Sequence, residues 1–224
     1  MGVDLRYQGL PVGCGFIELV RGRAWSDPSW ISHVRHWLKW GIDVRGERIR
    51  PGPGTKLPWP DEHEAQLLWA WCCGAVERFP DIGERSLDVH KSYEWLHFLL
   101  SARVRKRVRW PKPEPTDPRS WNDPETGFDQ LAAQAFRDAP EIAPGVHGTQ
   151  GLPIRLMSRD VVNDFGLCVG ALLREEVAPR FVELVTLGVI PAWDVDLRTR
   201  EFGEFQRFFI EAARRGEDVL VIWD

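Results

Sequence analysis

Three side chains that could bind a metal ion or transfer protons recur at helical spacing between Leu87 and Leu100. His90, Glu94 and His97 occupy positions i, i+4 and i+7, so a helix would place all three on one face. Two imidazoles and a carboxylate can coordinate zinc or iron, and they can also act as a general acid and base. The alternative is a solvated Glu94 beside a His97 that hydrogen-bonds to backbone at the edge of the core. We favour this structural alternative and predict neither a metal nor another cofactor.

Arginine alternates with other residues along the next segment. If this segment is a strand, it presents four guanidinium groups on one face, from Arg103, Arg105, Arg107 and Arg109. Such a face could bind a phosphate group, an acidic protein or a nucleic-acid backbone. The alternative is an edge strand that its charges protect from aggregation. The four arginines are therefore a candidate binding surface, with the edge strand as the rival interpretation.

Tryptophan is unusually frequent, with 12 residues against only 2 tyrosines. An indole is large, and its N–H group needs a hydrogen-bond acceptor when it is buried. The high frequency of tryptophan therefore predicts either a core that contains hydrogen-bonded indoles or an exposed aromatic surface. Trp30, Val34 and Trp37 follow one another at helical spacing, which is typical of core residues. Trp40 beside a glycine and Trp59 between two prolines are predicted to be the exposed pair, available to anchor a partner.

Standard catalytic signatures are missing from the sequence. It contains no Gly-x-Ser-x-Gly elbow, no phosphate-binding Gly-x-x-x-x-Gly-Lys and no Gly-x-Gly-x-x-Gly after a strand. Cys14 lies between two glycines, but no neighbouring residue in the sequence would activate its thiol. We therefore predict a binding protein without catalytic activity. The alternative is a metal-dependent or acid–base enzyme, hydrolase-like, centred on His90, Glu94 and His97.

The elements that would position these residues are predominantly helical. Hydrophobic periodicity and capping residues predict helices over about 28–41, 61–79, 87–100, 128–137, 158–172, 181–187 and 202–215. Apolar alternation and short apolar runs predict strands at 3–7, 154–157, 189–195 and 219–223. Proline-rich stretches at about 48–60 and 111–127 are predicted to be surface excursions. The order of elements predicts a single helix-rich α+β domain, residues 1–224, with a small sheet.

The segment that begins at Leu87 resembles a helix of the YfbM-like family. Leu87, Asp88, Lys91, Leu96, His97 and Leu100 stand at matching positions of the pattern Leu-Asp-x-Asp-Lys-x-Trp-x-x-Leu-His-x-x-Leu. His90 replaces the second acid of this pattern, and Tyr93 stands where tryptophan is usual. The opening Met-Gly-Val and the final run from Phe209 to Asp224 are also similar to the ends of those proteins. The family consists of small bacterial α+β proteins of undefined function, so the resemblance implies a fold and a bacterial origin but no site.

Composition narrows the class of protein and of partner. The 224 residues carry a net charge of −4, which argues against general nucleic-acid binding because phosphate contacts need a basic surface. The four cysteines show neither metal-ligand spacing nor a disulfide framework. The sequence shows no signal peptide and no apolar run long enough to span a membrane. We therefore predict a cytoplasmic protein that binds a protein or another acidic partner away from membranes.

Overall fold

The computed structural model describes residues 4–59, 61–89, 93–100, 131–172 and 174–223, apart from the side chains of residues 93, 94, 98, 137 and 174–176. Its central sheet has the strand order β4-β1-β6-β5, and every neighbouring pair is antiparallel. These strands are β1 (Leu5–Leu10), β4 (Ser86–Asp88), β5 (Arg155–Met157) and β6 (Asp218–Trp223). A hairpin of β2 (Ile42–Val44) and β3 (Glu47–Ile49) forms a second sheet.

Helices cover both faces of the central sheet, so the fold is α+β, as predicted. They are α1 (Phe16–Arg21), α2 (Trp30–Trp40), α3 (His63–Arg78), α4 (Tyr93–Leu100), α5 (Arg159–Gly170), α6 (Arg174–Thr186) and α7 (Val195–Arg215), with a π-helical turn at Gln134–Asp138. Among the described residues, no helix combines the length and the apolar character needed to cross a membrane.

The two faces of β6 build two different cores. Val219, Val221 and Trp223 join the cluster that contains the buried residues of α4 to α7, which we call the C-terminal layer. Leu220 and Ile222 join the cluster that contains the buried residues of α1 to α3, which we call the N-terminal layer. This division follows from the strand period of two, which sends successive side chains to opposite faces. One six-residue strand therefore contributes to both cores.

The elements predicted near the two ends of the chain are confirmed. Helix α7 ends at Gly216, which takes a left-handed conformation with φ of 65° and donates its N–H to helix carbonyls. Helix α2 likewise ends at Gly41, whose N–H bonds to the carbonyl of Trp37. Strand β6 is buried along almost its whole length. These elements carry strong apolar patterns, and the helices end at glycine. They were predicted correctly because the packing around them favours the same secondary structure as their local sequence.

The prediction of one helix from Leu87 to Leu100 is wrong at its beginning. Residues Ser86–Asp88 form β4, in which Leu87 pairs with Tyr7 of β1, and the described helix spans Tyr93–Leu100. The N–H of Val89 also donates to the carbonyl of Leu5. Pairing with a distant strand therefore overrides the helical spacing of the local sequence.

The strand predicted at 189–195 is also wrong. Residues Ala192–Asp194 form a 3₁₀ turn, and α7 begins directly afterwards at Val195. The carboxylate of Asp194 is buried and accepts a hydrogen bond from Arg198 at 2.6 Å, a pairing four residues apart that belongs to a helix start. The β-branched residues of this stretch therefore precede a helix.

The first proline-rich excursion is shorter than predicted. Its first residues, Arg48 and Ile49, belong to β3, and the hairpin turns at Arg45 and Gly46, which both have positive φ. The remainder, 50–59, runs as a loop before α3. The second predicted excursion, 111–127, lies outside the described residues.

Candidate functional site

The histidine and glutamate cluster is only partly within the described structure. His97 lies in α4, half-buried, with its ring centroid 5.1 Å from that of Phe136. His90 lies outside the described residues, and so does the side chain of Glu94. Within the described part of the chain, no group of His, Cys, Asp and Glu side chains is arranged to hold a metal ion. Neither the structural interpretation that we favour nor the metal or acid–base alternative is therefore tested for these three residues.

The arginine face also stays a prediction. Arg103, Arg105, Arg107 and Arg109 all lie outside the described residues, so no contact tests either the binding or the edge-strand interpretation.

The tryptophans of the first third divide between core and surface largely as predicted, except that Trp30, predicted to be a core residue, is only half-buried. Trp37 and Trp69 are buried, whereas the side chains of Trp40 and Trp59 are 44% and 41% exposed. The ammonium group of Lys39 lies 5.2 Å from the ring centroid of Trp40. Trp59 instead contacts the indole of Trp30, with the centroids 5.9 Å apart. Their exposure is confirmed, and their role in binding a partner stays a prediction.

Cys14 does not have the surroundings of a nucleophile. It is buried, and burial raises the pKa of its thiol, so the reactive thiolate is disfavoured. Its carbonyl accepts hydrogen bonds from Trp71 and Arg78. The turn between Gly13 and Gly15 thus anchors α3 to the start of α1.

A buried ion-pair cluster joins β4 to α2. Asp88 contacts Arg35 at 2.6 Å and Lys39 at 2.9 Å, and Arg35 is almost completely buried. Burial opposes ionisation of Asp88, but these two cations outweigh it, so the pKa of Asp88 is lowered. Arg35 also donates to the carbonyl of Tyr7. The cluster thus makes its ion pairs within the fold, which is typical of a structural role.

A large concave site lies in the C-terminal layer, between α6 and α7. It is a groove of about 720 Å³, within the range of ligand-binding pockets. Its apolar lining comes from Val177, Phe181 and Val185, four residues apart on α6, and from Phe202 and Gly203 on α7. The spacing on α6 places its three side chains on one helical face. The groove therefore presents an apolar floor between two helices.

Glycines explain why α7 has one closely packed neighbour and one open side. At Gly166 of α5, an added Cβ would lie 2.7 Å from the carbonyl oxygen of Phe209, so only glycine permits this close approach of α5 to α7. At Gly203, an added Cβ would meet no atom within 4 Å, because that side of α7 faces the groove. The groove wall is further fixed by Gln206, whose amide donates to the carbonyls of Val169 and Leu172.

Exposed apolar side chains occur on the elements that form this groove and directly before α7. Val182, on its α6 wall, is 65% exposed. Trp193, two residues before the groove residue Val195, is 83% exposed, and Leu197 is also exposed. A tryptophan this accessible is a typical anchor for a macromolecular interface. The apolar surface thus extends beyond the groove itself.

A basic stripe runs along the exposed side of α7. Arg200, Arg207 and Arg214 are spaced seven residues apart, which keeps them on one side of the helix, and all three are exposed. Within the described residues none of them forms an ion pair, whereas Arg198 and Arg215 of the same helix are paired with carboxylates. Arg200 lines the groove, and the other two line the concave surface that continues from it past Gly203. Asp196 and Glu204 are also exposed on α7, so the stripe is basic but not uniformly so.

The basic stripe and Trp193 could be recognised in part from the sequence. The seven-residue interval between Arg200, Arg207 and Arg214 is visible there, but the helix was predicted to begin only at Phe202, which left Arg200 out of it. Trp193 was assigned to a strand, so its exposure was missed. The groove itself had no signal, because periodicity shows which face of a helix is apolar but not which part of that face stays uncovered.

Comparison with known protein families, curated proteins and solved structures finds no match to this chain. The resemblance to YfbM-like proteins therefore stays a prediction that rests on the residues quoted for it. The site has to be interpreted from its own geometry.

Proposed function

We propose that this protein is a non-enzymatic binding module whose groove between α6 and α7 receives an amphipathic, acidic segment of a protein partner. The observation that carries the proposal is the apolar groove of about 720 Å³, together with the 83% exposed Trp193, which lies two residues before the groove residue Val195. A helix laid in a groove buries its apolar face against such a floor. These exposed apolar side chains favour a macromolecule, because a small molecule within the groove would leave Trp193 and Leu197, which do not line it, in water.

The charge of the partner follows from the stripe on α7. Arg200, Arg207 and Arg214 lack intramolecular carboxylate partners within the described residues, and guanidinium groups bind carboxylates through paired hydrogen bonds. An acidic flank on the partner would complement them and would speed association at low salt. This interpretation keeps the acidic partner expected from the sequence but assigns it to a different set of arginines.

A reducing compartment such as the cytoplasm suits the proposal. All four cysteines are free thiols, two of them buried as small apolar side chains in the N-terminal layer. A bacterial origin remains part of the proposal through the YfbM-like resemblance alone.

Gly203→Leu provides a direct test, because a leucine at this position would fill the groove without meeting an existing atom near its Cβ. The probe is a designed amphipathic helix of about 18 residues, about five turns, made of Leu, Ala and Glu and labelled for fluorescence anisotropy. We expect saturable binding to the unaltered protein and at least about tenfold weaker binding to Gly203→Leu. We expect Arg207→Glu to weaken binding by about threefold to fivefold, with the difference shrinking at high salt.

Gly74→Leu is the matched control for the groove. Gly74 is also a helical, half-buried glycine whose added Cβ would meet nothing within 4 Å, but it lies on α3 in the N-terminal layer. Arg48→Glu on β3 controls for charge. Equal affinity of Gly203→Leu and the unaltered protein would contradict the proposal. So would equal binding of a scrambled peptide of the same composition.

A further inference from the structure

A second cavity lies in the N-terminal layer, where Trp30 and Trp59 meet. It measures about 500 Å³ and is lined by these two indoles, by Pro58 and by the side chains of Asp61 and Glu62. The indole planes are inclined at 37°, with centroids 5.9 Å apart. Two tryptophans in contact with each other and two acidic residues therefore border one concave surface that the groove in the C-terminal layer does not include.

The loop that carries Trp59 is held in place by α3. Gln66 donates from its side-chain amide to the carbonyl of Trp59 at 2.8 Å, and Trp69 donates from its indole to the carbonyl of Thr55 at 3.2 Å. Leu57, between these two anchors, is buried. The backbone at Thr55 and at Trp59 is therefore held by α3 before a ligand binds, which lowers the entropic cost of placing Trp59.

Trp30 is also fixed before any ligand arrives. It lies in the first turn of α2, with its ring centroid 5.3 Å from that of His33 and 6.1 Å from that of Trp37. Both indoles of the cavity are thus supported by their own neighbours.

The carboxylates that border the cavity remain available to a ligand. Asp61 and Glu62 are exposed, and neither forms an ion pair within the described residues. Glu62 occupies the N-cap position of α3 without a side-chain capping bond. Glu64, in contrast, accepts the backbone N–H groups of Ser26 and Asp27 and is therefore committed to the fold. Among the described residues that line the cavity, none carries a basic side chain.

We propose that this cavity is a binding site for an alkylammonium group. The negative face of an indole attracts a cation within about 6 Å of its centroid, and indole is the strongest of the natural aromatic rings in this respect. Two carboxylates at the same surface add Coulombic attraction. A methylated ammonium group fits best, because its methyl groups pack on two apolar ring faces while its charge stays near Asp61 and Glu62. The group can belong to a free small molecule or to a methylated lysine of a protein.

The test measures binding of tetramethylammonium chloride by the indole N–H signals of ¹⁵N-labelled protein, with neutral tert-butyl alcohol as a probe of similar size. We expect tetramethylammonium to shift a small set of indole signals saturably and tert-butyl alcohol to leave them in place. Trp59→Leu should remove the saturable shift, and the pair Asp61→Asn with Glu62→Gln should weaken binding by about fivefold to tenfold.

Trp40→Leu is the matched control, because Trp40 is exposed to nearly the same extent as Trp59 but does not line the cavity. Unchanged melting temperatures would show that the variants are folded. The proposal is wrong if tert-butyl alcohol causes the same shifts, if Trp40→Leu weakens binding as much as Trp59→Leu does, or if no shift saturates. A trimethyllysine peptide with neutral flanks distinguishes the source of the ligand. Binding about tenfold tighter than that of tetramethylammonium would identify a protein ligand, and equal binding would identify a small molecule.

Discussion

The two layers that cover the central sheet differ in how their aromatic residues are satisfied. The C-terminal layer is rich in phenylalanine, contributed by Phe136, Phe165, Phe181, Phe202, Phe205, Phe208 and Phe209. In the N-terminal layer, tryptophans donate their indole N–H groups to backbone carbonyls: Trp25 to Val20, Trp69 to Thr55 and Trp71 to Cys14. Phenylalanine has no polar group, so it packs helices together without fixing a loop.

This difference explains the different kinds of site in the two layers. The indole N–H groups of the N-terminal layer tie loops to helices, and one result is a small, preformed cavity at Trp59. The phenylalanines of the C-terminal layer hold α5 against α7 but leave the space beside α6 open. Indole hydrogen bonds to loops therefore accompany the small cavity of the N-terminal layer, whereas the mainly phenylalanine packing of the C-terminal layer leaves a groove.

Gly166→Ala should have the largest effect, because it forces apart the two most closely packed helices of the C-terminal layer. Its Cβ would lie 2.7 Å from the carbonyl oxygen of Phe209 and from the Cβ of Ala213. We expect a loss of about 2–3 kcal/mol in the free energy of unfolding, measured by urea denaturation. Gly203→Ala, in the open groove of the same layer, should instead stabilise by about 0.5–1 kcal/mol, because alanine favours a helix over glycine. A stabilising Gly166→Ala would show that the close packing of α5 and α7 is not real.

Replacing one indole in each layer by phenylalanine should give a smaller effect that separates the layers. Trp69 and Trp95 are both buried, but Trp69 is bonded to Thr55 while the indole N–H of Trp95 has no hydrogen-bond partner among the described residues. Both variants lose similar ring area, so their difference isolates the hydrogen bond. We expect Trp69→Phe to be more destabilising than Trp95→Phe by about 1–2 kcal/mol, because it leaves a buried carbonyl unsatisfied. Equal losses in thermal or urea unfolding would remove the distinction between the layers.

The smallest predicted effect is on the pH dependence of stability, and it comes from Asp88 of β4, which contacts α2 of the N-terminal layer. The pKa of Asp88 is lowered in the folded protein, mainly because Arg35 and Lys39 outweigh the effect of burial. A carboxylate with a lowered folded pKa contributes stability that is present above its unfolded pKa of about 4 and is lost as the pH falls through the folded value. We expect Asp88→Asn to cost about 1 kcal/mol at pH 7 and progressively less below pH 4. A loss of stability in Asp88→Asn that stays constant from pH 7 to pH 3 would contradict a stabilising role for the ionised Asp88.

The parts of the fold that could be predicted are those in which local sequence and tertiary environment agree. Strand β6 is a continuous apolar run and α7 carries Phe202, Phe205 and Phe209 at helical spacing before Gly216, so both were found. Strand β4 was missed because three residues contain too little pattern, and its identity comes from pairing with β1. The stretch before α7 was misassigned because its β-branched residues favour a strand, whereas the contact of Asp194 with Arg198 favours a helix start.

The candidate sites were less predictable than the fold. The exposure of Trp40 and Trp59 followed from their glycine and proline neighbours, but the contact of Trp59 with Trp30 joins residues from two elements. The groove depends on the distance between two packed helices, which a single helix cannot encode. The cluster at His90, Glu94 and His97 and the arginines from Arg103 to Arg109 remain untested predictions.

The register of β1 with β6 has a consequence for how the chain is made. Leu5 pairs with Trp223, and Leu10 with Asp218, so the central pair of strands joins residues more than two hundred positions apart. Because synthesis proceeds from the N-terminus, β1 and all seven described helices, α1 to α7, are made before β6. Both cores draw side chains from β6, so neither can close until that strand emerges. Such non-local pairing is slow to form, and the nascent chain would expose apolar helix faces during this interval.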